Sequence, residues 1–334
     1  MRLSEIDTLK SRFTGEIQDR VEWATAEGSH TSAPIHRTAS LKRRLTSRIA
    51  PAALRLLQAP YRREIKTPFP FPYNLLCIGE RFSKEASFFH LKQLVRNSGS
   101  PIKSVLMPGC SFGGEDVQFW LRQNIDLFAT VDIIDRLPQW QQIAKQLGKY
   151  FRTVIDFQYA ALESTPFDDN HFDLVTSEAV LEHVRNLEAA AQEMYRILKP
   201  GGWGWHRIGP LYFTSGEDHC IDSYGLEYSY DHLVLDEPAY RQKVNDAAFF
   251  KMQPDPGCRF WAMTDQFSFA KTEDYLSVFR RYFDLKHAIL GISVEALSFR
   301  RKYPERWKQL LAAGLHEHDL LSYSLSIVLR KPTV

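Results

Sequence analysis

Leu162-Glu-Ser-Thr-Pro-Phe-Asp-Asp-Asn-His-Phe-Asp-Leu-Val-Thr-Ser-Glu-Ala-Val-Leu-Glu-His-Val184 leads, ten residues on, into Met194-Tyr-Arg-Ile-Leu-Lys-Pro-Gly-Gly202. Pro166-Phe167 and the aspartates behind it read as a turn, and the apolar run 172–176 as a buried strand. Over 187–198 the period changes: Leu187, Ala190, Ala191, Met194 and Leu198 fall on one face of a helix. Lys199-Pro200-Gly201-Gly202 stops that helix, because proline has no N–H to give and glycine accepts a positive φ. Residues 203–208 are again strand-like. A strand, a helix and a strand in succession make a parallel crossover.

Working outward, the same alternation continues. Upstream lie strand-like runs at 104–107, 127–134 and 153–159, with helical patterns at 115–123 and 137–147 between them. Downstream, 209–270 loses the rhythm and is rich in Tyr, Phe, His, Asp and Pro. Helix 272–282, strand 283–290, helix 295–313 and strand 321–330 then follow. This is an α/β chain with a parallel sheet covered by helices on both faces. The irregular block interrupts it after the fifth strand, at the carboxyl edge where such sheets bind ligands. The organisation expected is a basic helical extension over 1–66, a linker and leading helix over 67–101, a core over 102–208, an insertion over 209–270 and completion of the core over 271–334. Within the second part, Pro68, Pro70 and Pro72 make an extended linker, and Ser83 is the expected N-cap of a helix over 84–97.

Composition narrows the function. A net charge of +2 over 334 residues is too small to suggest a nucleic-acid partner, and 25% charged with 44% hydrophobic residues is ordinary for a globular protein. The N-terminal MRLSEIDTLK carries charges where a signal peptide would be apolar, and no apolar run reaches the roughly 20 residues of a membrane span. Cys77, Cys110, Cys220 and Cys258 are far apart, without a C-x-x-C pair, so a reduced, cytoplasmic setting is expected. The exception to the even charge is 41–66, where Lys42, Arg43, Arg44, Arg48, Arg55, Arg62, Arg63 and Lys66 face the single acid Glu64. Leu41, Leu45, Ile49, Ala53 and Leu56 form an apolar stripe beside them. Two readings stand: a solvated basic face packed on the domain, or weak peripheral contact with an anionic membrane, which would be at its inner face.

Gly109 and Gly113 follow the strand at 104–107 and precede a helix, an arrangement that lets a ligand approach the backbone. Asp132 ends the next apolar run, where a carboxylate can accept both hydroxyls of a ribose. Taken alone, these features serve a dinucleotide as well as any other nucleoside. The opening stretch decides between them. Its proline-phenylalanine turn, aspartate pair, FDLV strand, LEHV turn and R-x-LKPGG helix end resemble the class I, Rossmann-like S-adenosylmethionine-dependent methyltransferases, of the type 11 group. The resemblance runs through about 105–208 and resumes at 283–330.

It implies a parallel sheet with an antiparallel last strand, N-terminal helices and an insertion after strand five. It also implies S-adenosyl-L-methionine as cofactor, with Gly109, Cys110 and Gly113 around its methionine part and Ser177 lining the same side. Asp132 would bind the ribose, Ile133 would lie against the adenine, and Leu162 with Glu163 would meet the ring edge. Three positions depart from the pattern: Met107 stands for an acid, Ser111 for a glycine and Ala161 for an aspartate. The methionine ammonium and the adenine amino group thus lose side-chain partners, for which backbone carbonyls or Glu115 are the substitutes at hand.

Methyl transfer needs alignment, and a hydroxyl acceptor must also lose a proton to a positioned base. His183 follows the fourth core strand beside Glu182, and His206 lies in the fifth. The insertion adds the pairs Asp218-His219 and Asp231-His232 in an aromatic setting. His219, His232 and His183 are the catalytic residues expected. No metal is expected, since Glu178 stands one position away from the acid that would complete a site with Glu182 and His183. The acceptor expected is a small or glycan-type metabolite, because the insertion lacks the Lys/Arg clusters of a nucleic-acid reader. The rivals are a catalytically silent cofactor-binding scaffold and a nicotinamide-dependent oxidoreductase.

Overall fold

The computed structural model describes residues 65, 69, 71–78, 80–109, 115–133, 137–149, 151–216, 225–236, 238–240, 242 and 268–333. The helices expected in 1–64, the basic segment apart from Ile65, Cys110, Ser111, Gly113, His219 and most of the insertion lie outside them.

The elements follow in the order β1 (Leu75–Ile78), α1 (Glu80–Ser98), β2 (Ser104–Leu106), α2 (Glu115–Leu121), β3 (Leu127–Asp132), α3 (Leu137–Leu147), β4 (Val154–Tyr159) and β5 (Phe172–Glu178). A 3-10 turn (Leu181–His183) leads to α4 (Leu187–Ile197) and β6 (Leu198–Ile208). After a second 3-10 turn (Leu226–Tyr228) come α5 (Asp231–Val234), α6 (Thr272–Tyr282), β7 (Asp284–Ile292), α7 (Val294–Lys302), α8 (Pro304–Ala312), α9 (Glu317–Leu321) and β8 (Ser322–Arg330).

Among the described residues, eight strands form one sheet in the order β1-β7-β8-β6-β5-β2-β3-β4. All neighbours are parallel except β8, which runs antiparallel to both β6 and β7. The central strands are buried on both faces, which is why they read as continuous apolar runs. One face carries α4 and α6, through Ala190, Ala191, Met194, Tyr275 and Phe279. The other carries α1, α2 and α3, through Phe88, Leu91, Trp120 and Trp140.

Two fastenings involve the opening stretch. The Asp173 carboxylate in β5 accepts from the Lys103 and Ser104 amides at 2.9 and 2.8 Å and from Lys199 Nζ at 2.7 Å. Burial alone would raise its pKa, but Lys199 and the amides hold it below the ordinary carboxylate value. At the end of α4, Lys331 Nζ donates to the carbonyls of Tyr195 and Leu198, both at 2.7 Å, and so meets carbonyls a helix end leaves unpaired.

Three local expectations are corrected. Leu75–Ile78 forms a strand that periodicity did not reveal, because four apolar residues become a strand only through their partner, β7. Ser83 lies inside α1 rather than capping it, since the helix begins at Glu80 among residues that favour helix. The helix expected over 295–313 is two, broken at Tyr303 before Pro304, which fits the first turn of α8 but bars helical backbone before it.

Candidate functional site

The chain leaves β2 for β3 and β4 on one side and returns to β5 on the other. A crevice opens outside the carboxyl ends of β2 and β5 at such a reversal. Gly109 sits there with φ +62, and its N–H donates to Val131 O at 2.8 Å. That bond brings the turn after β2 against the end of β3, where Asp132 stands half-buried. A Cβ on Gly109 would come within 2.7 Å of Val180 Cγ2, so this backbone has room for a glycine only. Asp132 is paired in register with Tyr159 of β4, and its carbonyl accepts from Ala160 N at 3.1 Å. Ile133 and Tyr159 are exposed by 46% and 60%, leaving apolar surface beside that carboxylate.

The turn after β4 is clamped to α4. Thr165 gives both its N–H and its hydroxyl to Glu193 Oε1, at 2.7 and 2.6 Å. Arg196 joins Glu193 to Asp169, with 2.7 Å contacts to each. The proline-phenylalanine turn and the arginine of the helix end are thus one structural unit. It buries Leu162 and Phe167 in the core and leaves Glu163 half-buried beside them.

Ser177, near the end of β5, is buried, and its Oγ lies 2.8 Å from His206 Nδ1. The His206 ring stacks on Phe279, and burial pushes its pKa down to about 3, so it is neutral at neutral pH. The pairing follows from the register of β5 and β6, in which Ser177 faces His206. Sequence reading placed both residues near the site but not against each other, since strand register is not written in either strand alone. The structure packs Met107 into the core at 6% exposure, so the acid the family carries there has no counterpart in a buried apolar setting. Trp203, Trp205, Tyr212 and Phe213 are likewise core residues.

The expected histidines separate. His183 is half-buried in the 3-10 turn after β5, and its amide donates to Val180 O at 2.9 Å. His232 is buried on α5, with Nε2 2.8 Å from Tyr212 O. A carbonyl only accepts, so Nε2 is the donor in this bond. Its neighbour Asp231 meets Arg306 of α8 at 2.7 Å. In the sequence Glu182 stands out only as the acid beside His183. It is 2% exposed, and burial pushes its carboxyl up to about 8, with the Glu178 charge adding to the rise. Among the described residues, Glu273, His318 and Asp319 bring three metal-ligating atoms within 4.8 Å, but the Lys271 ammonium already stands 2.7 Å from Asp319.

The turn at Gly109 and the carboxylate of Asp132 stand together at the carboxyl ends of β2 and β3. Residues 106–205 match the family described as "Methyltransferase domain". The chain is similar to a Pseudomonas putida protein named ubiquinone/menaquinone biosynthesis C-methyltransferase UbiE, at 50% identity over 97 residues, 29% of this chain and 35% of that one. A Danio rerio protein named 2-methoxy-6-polyprenyl-1,4-benzoquinol methylase, mitochondrial, is 30% identical over 114 residues, 27% of this chain and 34% of that one. The chain therefore spans about a third of the length of these relatives. Among solved structures, an S-adenosylmethionine dependent methyltransferase from Mesorhizobium loti aligns with a TM-score of 0.42 at 14% identity, over 75% of this chain and all of that one. With the sheet order and the crevice, the matched segment 106–205 gives the chain a methyltransferase domain on a class I, Rossmann-like fold.

Proposed function

We propose that the protein transfers a methyl group to a hydroxyl of a small or glycan-type metabolite. The observation that supports this is that Gly109, Asp132 and Ser177 stand at the carboxyl ends of β2, β3 and β5, inside the segment that matches the methyltransferase family. Gly109, with Cys110 and Gly113 in the same loop, would hold the methionine part, Asp132 the ribose, and Ile133, Leu162 and Glu163 the adenine end. The cofactor supplies an electrophilic methyl on a sulfonium. The protein aligns the acceptor with it and takes up the acceptor's proton. The insertion over 209–270 is the acceptor side in this reading, and His219, His232 and His183 are its histidine bases.

A second reading has one observation behind it. The relatives named above are called C-methyltransferase and benzoquinol methylase, which favours a ring carbon activated by a neighbouring hydroxyl. Those matches cover under a third of this chain, so they bear on the acceptor less than on the core. Both readings begin with loss of a hydroxyl proton. The test is to incubate the protein with methyl-labelled cofactor and fractionated cell extract, then locate the label. Label on oxygen supports the first reading, and label on a ring carbon the second. Cofactor binding without any label transfer would favour the silent scaffold. No binding of S-adenosylmethionine, with binding of a nicotinamide dinucleotide instead, would favour the oxidoreductase.

A further inference from the structure

Outside the residues assigned to the cofactor, one side-chain cluster carries the donors of a metal site. Glu273 stands in the first turn of α6, and His318 and Asp319 lie in α9, the helix that leads into β8. The fold brings one imidazole and two carboxylates together. His318 Nε2 lies 3.5 Å from Glu273 Oε1 and 3.3 Å from Asp319 Oδ1. Nitrogen and oxygen atoms bound at about 2.0–2.2 Å to a tetrahedral zinc stand roughly 3.3–3.5 Å apart, so these two spacings match edges of that tetrahedron. All three donors fall within 4.8 Å of one another, which leaves the third edge to close by a small side-chain movement.

Burial separates this group from an acid cluster on the surface. The Asp319 side chain is 4% exposed, and Glu273 Oε1 is buried without a hydrogen-bond partner. A buried carboxylate oxygen with no donor is costly, and a cation between the acids removes that cost. Lys271 does not supply it to Glu273. Its Nζ stands 2.7 Å from the other Asp319 oxygen, Oδ2, and 5.4 Å above the centre of the Phe213 ring. It therefore leaves Glu273 Oε1 and Asp319 Oδ1 for an ion while steadying the Asp319 carboxylate, as outer partners of metal ligands do. The Glu273 and His318 side chains are 34% and 20% exposed, so the cluster opens to solvent on their side.

We propose that Glu273, His318 and Asp319 bind one zinc ion, with water in the fourth position. The donor set selects the metal, because magnesium and calcium take oxygen ligands whereas an imidazole suits zinc. The site is separate from Glu178, Glu182 and His183, and it stands whether or not the methyl-transfer reading does. It joins the start of α6, where the chain comes back from the insertion, to the helix ahead of β8.

The test is a calorimetric titration of the full chain with zinc chloride after dialysis against a chelator. One zinc per chain is expected. Losing a ligand costs more than losing an outer partner, so H318A and E273Q should each weaken binding by about a hundredfold or more. Cobalt(II) in place of zinc should give the intense visible bands of a four-coordinate site, and H318A should lack them. Zinc should raise the Tm of the wild-type protein and not that of H318A. K271M should still take up the ion. Equal uptake by wild type, H318A and E273Q would put zinc elsewhere and overturn the proposal. Uptake by K271M but not by wild type would overturn it too, since the Lys271 ammonium would then be the cation the acids hold. No uptake by either protein would reduce His318 to an ion-pair partner and end the proposal. Should H318A not fold, E273Q and the wild-type cobalt spectrum decide in its place.

Discussion

At Gly109 one hydrogen atom in place of a side chain decides whether the crevice exists. Its φ of +62 is one that a β-branched residue avoids, and a Cβ would meet Val180 at 2.7 Å. Gly109→Val should therefore abolish binding of S-adenosylmethionine, and calorimetry showing wild-type affinity in that variant would put the cofactor elsewhere. Asp132 acts through charge instead of space. Asp132→Ala should weaken cofactor binding by roughly 1–3 kcal/mol, the scale of a charge-assisted bond left unmade. Unchanged affinity would transfer the ribose role to Asp135, which lies outside the described residues.

Among the elements, the joint between β2 and β5 depends on a carboxylate that the FDLV motif supplies. Asp173 holds the Lys103 and Ser104 amides and Lys199 at once. Its folded pKa is lowered, so its contribution is present above the unfolded value of about 3.9 and is lost as pH falls through the folded value. Asp173→Asn should cost roughly 1–3 kcal/mol at pH 7, because the amide lacks the carboxylate's charge and has one acceptor oxygen in place of two, so its NH2 faces either the Lys199 ammonium or the amides. Urea unfolding at a series of pH values checks this: the gap between variant and wild type should close in acid. Element limits were legible where amphipathic period and stop signal coincide, as in α3 and α6, whose observed limits are 137–147 and 272–282. They were not legible for β1, whose four residues carry too short a pattern to separate strand from helix.

Over the whole molecule, two buried groups set opposite pH limits. The Glu182 carboxyl is raised to about 8, against an unfolded value of about 4.3, so its contribution is full below the unfolded value and is lost as pH rises through 8. The His206 pKa is pushed down to about 3, against about 6.5 unfolded, so its contribution is present above 6.5 and is lost as pH falls. The melting temperature of the cofactor-free protein should fall on both sides of a mildly acidic maximum. E182Q should flatten the alkaline side alone, and thermal melts from pH 4 to pH 9 would show it. No described helix is long and apolar enough to cross a membrane. The basic segment 41–66 should nevertheless pellet with anionic vesicles at low salt and not with neutral ones, since each Lys or Arg near the surface contributes about 1 kcal/mol that salt screens. Equal pelleting with both kinds of vesicle, or with neither, would favour a solvated basic face.

The alternation of strands and helices, the class of fold, the glycine turn and the family of the core could all be read from the sequence, because they rest on local periodicity and on residues close together in the chain. The contact of Ser177 with His206, the clamp from Thr165 through Glu193 to Arg196, and the burial of Glu182 could not. Each depends on which strand lies beside which, and on what the closed chain removes from water. Glu182 shows the difference most clearly. In the sequence it is one acid in a turn beside a histidine. Only the folded protein encloses it beneath Ser268 and Tyr275 with a like charge nearby, and desolvation, a property of the whole fold, then changes its acidity.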